Sequence, residues 1–240
     1  HVGRPLDPLE RKLAEVLGAK IAIGFDNLHL YEQVKRSHKA AVIALAGLAE
    51  YKDPDGGGDH GLRLSRLVTE IAFALRSRED WDTVIDDEFL EQIAMGAMLY
   101  DIGMVGVPDS VIRKDHLLDG EERQQMEQHC ERGAAILEKA SRLVEGSNYL
   151  SFGAAIARAH HERWDGSGYP NGLSGSDIPA AARIVAVADV YDALTHRRSW
   201  REAVPLADAL KTIGDGAGTL FDPTVVAAFF QVRPARGRPR

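Results

Sequence analysis

The chain has 240 residues, 45% hydrophobic and 27% charged, with a net charge of −7. That composition suits a globular protein with ample core, and its acidity argues against a broad nucleic-acid-binding surface. The single cysteine, Cys130, excludes an internal disulfide and fits a cytoplasmic location; the ten apolar residues at 40–49, the longest such run, are too few to cross a bilayer, and no secretory leader is visible.

Residues 8–36 read as one helix. Leu9, Leu13, Val16, Ile23, Leu30 and Val34 recur at helical spacing, with Lys20 and Asn27 in the same frame. Polar seam positions of this kind occur in dimeric coiled coils, so the stripe predicts a homodimer through the N-terminal helix. A second helix follows over AAVIALAGLAEYKD and ends in the breaker cluster at residues 53–59. His60 opens a third, with Leu64, Leu67, Val68, Ile71 and Leu75 on one face. Residues 88–101 predict a short buried helix, followed by a loop rich in glycine.

Asp119 and Glu122 form a capping box that starts a helix expected to carry His129. The next helix, GAAIARAHHERW, carries His160 and His161. After a glycine-rich loop, residues 179–198 predict a helix bearing Asp189 and Asp192, and residues 204–230 hold two more around GDGAGTLFDP. Nothing has the alternation of strands, so the class is all-α. The tail, residues 232–240, is basic, rich in breakers, and reads as disordered.

His60, Asp101, His129, His160, His161 and Asp189 are separated by 41, 28, 31, 1 and 28 residues. Most intervals match a helix pair, so a bundle can aim these side chains into one cleft. Imidazole and carboxylate donors suit iron, manganese, nickel or zinc, and a shared carboxylate can bridge two cations. Helical His/Asp sites also support oxygen chemistry, so an iron-dependent oxidase is an alternative on the residues alone.

The run HHERWDGSGYPNGL at 160–173, with His60-x-x-Arg63, DIGMVGVPDSVIRK at 101–114, ARIVAVADVYDAL and GTLFDP at 218–223, resembles the HD-GYP family of cyclic di-GMP phosphodiesterases. The resemblance covers about residues 38–230. It implies an HD-type helical bundle at 38–231 with a metal cleft, preceded by a linker helix, residues 1–37, that looks like the end of a truncated GAF-like sensory domain. It implies one metal held by His60, the residue at 100, Asp101 and Asp189. A second metal would use Asp101, His129, His160 and His161. One or two divalent metals are expected, iron or manganese first, nickel or zinc as alternatives. By the same resemblance, Arg198, Arg201 and Tyr169 contact cyclic di-GMP, and the loop Gly168-Tyr169-Pro170 meets a diguanylate cyclase (GGDEF) domain. The structural alternative for that loop is a scaffold for the metal helices, with Trp164 in packing. Cys130 reads as a buried small hydrophobe.

Two positions depart from the family pattern. The family's His-Asp pair is Tyr100-Asp101 here, and its lysine three residues on is Met104, which has no hydrogen-bond donor. Tyr100 can be a phenolate ligand to ferric iron, a spectator beside water, or a plug in the first metal site. A third metal, which some relatives hold with a glutamate four residues before the opening histidine, has Gly56 at that position and only Asp55 beside it. The expectation is a degenerate site with weak or absent hydrolysis; the alternative is an active enzyme yielding pGpG or GMP.

Overall fold

The structure is a computed structural model that describes residues 4–5, 7–52, 60–114, 117–144, 146, 148–197 and 202–233. Among the described residues ten α-helices follow in order: α1 Pro8–Lys52, α2 His60–Arg76, α3 Asp87–Gly96, α4 Asp109–Ile112, α5 Gly120–Glu127, α6 His129–Ser141, α7 Tyr149–Ala159, α8 Ala180–Thr195, α9 Leu206–Asp215 and α10 Pro223–Val232. Among the described residues the only β pairing is an isolated bridge between Ala217 and Phe221. The class is therefore all-α. No helix among the described residues is long and apolar enough to cross a membrane.

The backbone divides between Ala41 and Val42. In the first unit, the part of α1 from Pro8 to Ala41 leaves Leu9, Leu13, Val16, Ile23, Leu30 and Val34 exposed. The helices expected at 8–36 and 40–52 are one continuous helix. Ser37, His38 and Lys39 include no glycine or proline, so nothing stops the helical ladder between them.

In the second unit, α2 buries the face that its spacing predicted: Leu64, Val68, Ile71 and Leu75 are fully inaccessible. They join Ile184, Val185, Ile213, Val225 and Phe229 from α8, α9 and α10. Each such burial contributes about 1.5–3 kcal/mol. A second cluster packs Val42 and Ala46 at the end of α1 on Leu99, Ala134, Leu137 and Ala157.

Two helices end differently from expectation, and both differences matter at the site. The helix predicted over 88–101 stops at Gly96, and the chain tightens into 3₁₀ turns at Ala97–Leu99 and Ile102–Gly106. The Asp119–Glu122 capping box forms, but its helix ends at Glu127, and His129 instead opens α6. The second 3₁₀ turn packs tightly on the start of α6. A Cβ on Gly103 would lie 2.0 Å from the His129 carbonyl oxygen and 2.6 Å from the Gly133 nitrogen. Glycine at 103 thus lets the 3₁₀ segment lie main chain to main chain against the start of α6.

Candidate metal centre and cleft

A cleft of about 510 Å³ opens in the second unit, within the range of small-molecule sites. His60, Tyr100, Asp101, Met104, His129, His161, Tyr169 and Asp189 all line it. The helical scaffold explains the gathering. His60 opens α2, Asp101 sits between the two 3₁₀ turns, His129 opens α6, His160 and His161 follow α7, and Asp189 lies in α8.

One half of the cleft collects nitrogen donors. The Nε2 atoms of His129 and His160 are 3.4 Å apart. Asp101 Oδ1 is 3.4 Å from the first and 3.5 Å from the second. The His160 and His161 rings lie 4.0 Å apart. Each Nδ1 has its own acceptor: His129 donates to the Met126 carbonyl at 2.7 Å, and His160 to the Ala157 carbonyl at 3.0 Å. Those bonds occupy both Nδ1 atoms, so each Nε2 carries a lone pair when its ring is neutral. Two neutral imidazoles in that arrangement cannot satisfy one another, whereas a cation between them can be shared. Ligand atoms of His129, Cys130, His160 and His161 all fall within 4.8 Å of one another. The residues fit a divalent transition metal.

The electrostatics divide the cluster: burial lowers His160, but the Asp101 carboxylate raises it above the ordinary imidazole value overall. Burial would raise the Asp101 carboxyl, but the hydrogen bond with His160 and the neighbouring imidazoles hold it well below the usual carboxylate range. Burial, together with His160 and His129, pushes His161 well below the ordinary imidazole value, keeping its lone pair free. Cys130 is fully buried, 3.5 Å from His129 Nε2, and burial raises its thiol.

The other half is organised by hydrogen bonds. The Tyr100 hydroxyl donates to Asp189 Oδ1 at 2.8 Å and lies 2.8 Å from His60 Nε2. His60 Nε2 and Asp189 Oδ1 are themselves 3.9 Å apart. The phenol oxygen thus lies between two groups that would otherwise face each other. Burial and the charges of Asp101 and Asp189 raise the Tyr100 phenol well above its ordinary value. Behind His60, Nδ1 lies 2.7 Å from Asp192 Oδ2. Arg63 grips the same carboxylate with two hydrogen bonds, at 2.9 and 3.0 Å. Despite burial, these partners hold the Asp192 carboxyl below its ordinary value. Asp189 is raised, first by burial and then by Asp101.

Met104 lines the cleft while packing against Val107 and Val111. Tyr169 stacks near His161, with ring centroids 4.7 Å apart, and Gly168 and Pro170 flank it. The Tyr169–Pro170 peptide is cis. A Cβ on Gly168 would sit 2.3 Å from the Arg163 nitrogen and 2.5 Å from Glu162 Cα, so this loop folds back on the histidine segment. Arg198 and Arg201, and the positions Asp55 and Gly56, lie outside the described residues; Arg197 lines the cleft and pairs with Glu202 at 3.0 Å.

Three residues with structural roles at the site carry no clear signal in the sequence. Asp192 orients His60, and its place one turn beyond Asp189 was the only hint. Buried Glu162 accepts hydrogen bonds from the backbone nitrogens of Asn171 and Leu173, at 2.8 and 3.0 Å, and so ties the glycine loop to the histidine pair. Cys130 lies among the ligand atoms although its helix neighbour His129 was the expected donor.

Residues 58–225 match the HD domain family. The chain is 41% identical over 198 residues to a probable cyclic di-GMP phosphodiesterase of Vibrio cholerae, covering 82% of this chain and 45% of that protein. It is 42% identical over 185 residues to a cyclic di-GMP phosphodiesterase of Thermotoga maritima, covering 77% of this chain and 46% of that protein. The crystal structure of a cyclic GMP-AMP specific phosphodiesterase of V. cholerae superposes with a TM-score of 0.57 at 21% identity, over 80% of this chain and 48% of that one; this likeness bears on fold alone. The chain spans less than half the length of each of these relatives.

Proposed function

Because the chain belongs to the HD domain family, we propose that it is an HD-GYP-type output domain of cyclic di-GMP signalling that binds metal and has weak or absent phosphodiesterase activity. The observation that carries this reading is the Tyr100 hydroxyl between His60 and Asp189, 2.8 Å from each. In a hydrolase of this kind, metal ions supply charge neutralisation at the phosphodiester and activation of water. Asp101, His129, His160 and His161 have the donor chemistry to hold one ion. His60 and Asp189 are instead satisfied by a phenol.

The chain's own groups do the rest. Tyr169 offers an aromatic face at the cleft wall beside His161, suited to a base or ribose. Asp192 and Arg63 hold His60 in place. Met104 lines the cleft without a donor for a phosphate oxygen, so one stabilising contact in the transition state is missing. By the family resemblance Arg198 and Arg201 grip the phosphates of the bound dinucleotide, a role that the guanidinium's paired donors suit. The same reading takes residues 1–37 as a signalling helix that pairs with a second copy, and Gly168-Tyr169-Pro170 as the surface for a GGDEF domain, in a cytoplasmic protein with iron or manganese as its metal.

The test is metal analysis combined with cyclic di-GMP turnover in manganese and iron, on the parent and on Tyr100→His with Met104→Lys. About one ion per chain with negligible turnover, and at least a tenfold gain in the double variant, supports the reading. Full turnover by the parent at two ions per chain overturns it.

A further inference from the structure

The geometry points to Cys130 as a ligand of the metal held by the histidine cluster, making this a thiolate-containing centre rather than a purely histidine–aspartate one. The inference rests on the proposal that the cluster binds metal and names a ligand that this proposal does not include.

Distances carry the argument. A tetrahedral ion with imidazole nitrogens at about 2.0–2.1 Å keeps two such nitrogens about 3.4 Å apart, and a thiolate at about 2.3 Å lies about 3.5–3.6 Å from each nitrogen. His129 Nε2 is 3.4 Å from His160 Nε2 and 3.5 Å from Cys130 Sγ. Both edges match those of one coordination tetrahedron. A carboxylate edge is present too, from Asp101 Oδ1 to the same two nitrogens at 3.4 and 3.5 Å.

The cysteine is not an isolated thiol. It joins His129, His160 and His161 with all ligand atoms inside 4.8 Å. The burial of the pair also points to a cation: His129 and His160 are only 2% and 3% exposed, and their Nδ1 atoms donate to backbone carbonyls while the Nε2 atoms lie close together. Cys130 is sealed from solvent, which protects a coordinated sulfur from oxidation. A soft sulfur ligand shifts preference toward zinc or iron and away from manganese.

The test uses cobalt(II) as a spectroscopic probe on the full chain freed of metal. The parent is expected to bind cobalt and show an intense near-ultraviolet sulfur-to-cobalt charge-transfer band. Cys130→Ser and Cys130→Ala should lose that band, keep the weak visible bands of a histidine-ligated ion, and bind about 10–100-fold more weakly. Circular dichroism of the metal-free variants reports whether they are folded, and the parent spectrum alone decides the question if they are not. Cobalt binding by the parent without the charge-transfer band overturns the cysteine ligand and leaves the metal site standing. No cobalt binding by the folded parent overturns both.

Discussion

Replacing Tyr100 by phenylalanine removes one oxygen and keeps the ring, so it isolates the hydroxyl that joins the two halves of the His60–Asp189 pair. The ring itself is well packed: Tyr100 is 4% exposed and makes an edge contact with His160 at 4.9 Å between centroids. Phenylalanine fills that space. What is lost is the donor to Asp189 and the partner of His60 Nε2, both at 2.8 Å. A group left without its partner in a partly buried setting costs about 1–3 kcal/mol. For a chain of this size 1 kcal/mol moves the melting temperature by about 2–4 °C, so a loss near 2 kcal/mol lowers it by about 4–8 °C. The measurement is thermal and urea unfolding of the metal-free protein. Tyr191→Phe, whose ring packs on Phe229 at 5.0 Å, serves as the reference and should stay within about 0.5 kcal/mol of the parent. If Tyr100→Phe matches that reference, the hydroxyl does not hold the pair together. A phenolate-to-iron charge-transfer band in the ferric protein, lost in Tyr100→Phe, would also refute the argument, because the oxygen would then sit on the metal.

Three further outcomes are expected. Gly168→Ala drives a methyl against Arg163 nitrogen at 2.3 Å and Glu162 Cα at 2.5 Å, so the loop must move; a loss of about 1–3 kcal/mol and a changed near-ultraviolet dichroism follow, and a parent-like melt would show that the loop adapts freely. Glu162→Gln sets an amide where a carboxylate accepts from Asn171 and Leu173, with a loss of about 1–3 kcal/mol in chemical denaturation and faster amide exchange confined to residues 168–173. Chelation of protein saturated at about 100 times its metal dissociation constant removes about 2.7 kcal/mol and lowers the melting temperature by about 5–10 °C, and His160→Ala should show no chelator effect.

Much of this was legible from local pattern. The face of α2 carrying Leu64, Val68, Ile71 and Leu75 is buried because a period near 3.6 leaves those residues one common side. The Asp119–Glu122 box forms because its bonds are local. Candidate ligands could be named from residue type and spacing. What escaped was tertiary. The close approach of the 3₁₀ segment to α6 rests on Gly103 meeting a backbone 26 residues away, and propensity carries no trace of that contact. Asp192 and Glu162 read as ordinary acids until their partners, Arg63 with His60 and the nitrogens of Asn171 and Leu173, are seen in space. Three readings of Tyr100 stayed open from sequence because they differ only in where one oxygen lies.

Gly103 has a consequence for how such a site changes over time. Its backbone meets that of His129 and Gly133 without a side chain between them, so the separation between the segments bearing Asp101 and His129 is set by main chain and does not depend on what the neighbouring side chains are. A residue at the cleft can then be replaced while the donors on these two segments keep their spacing.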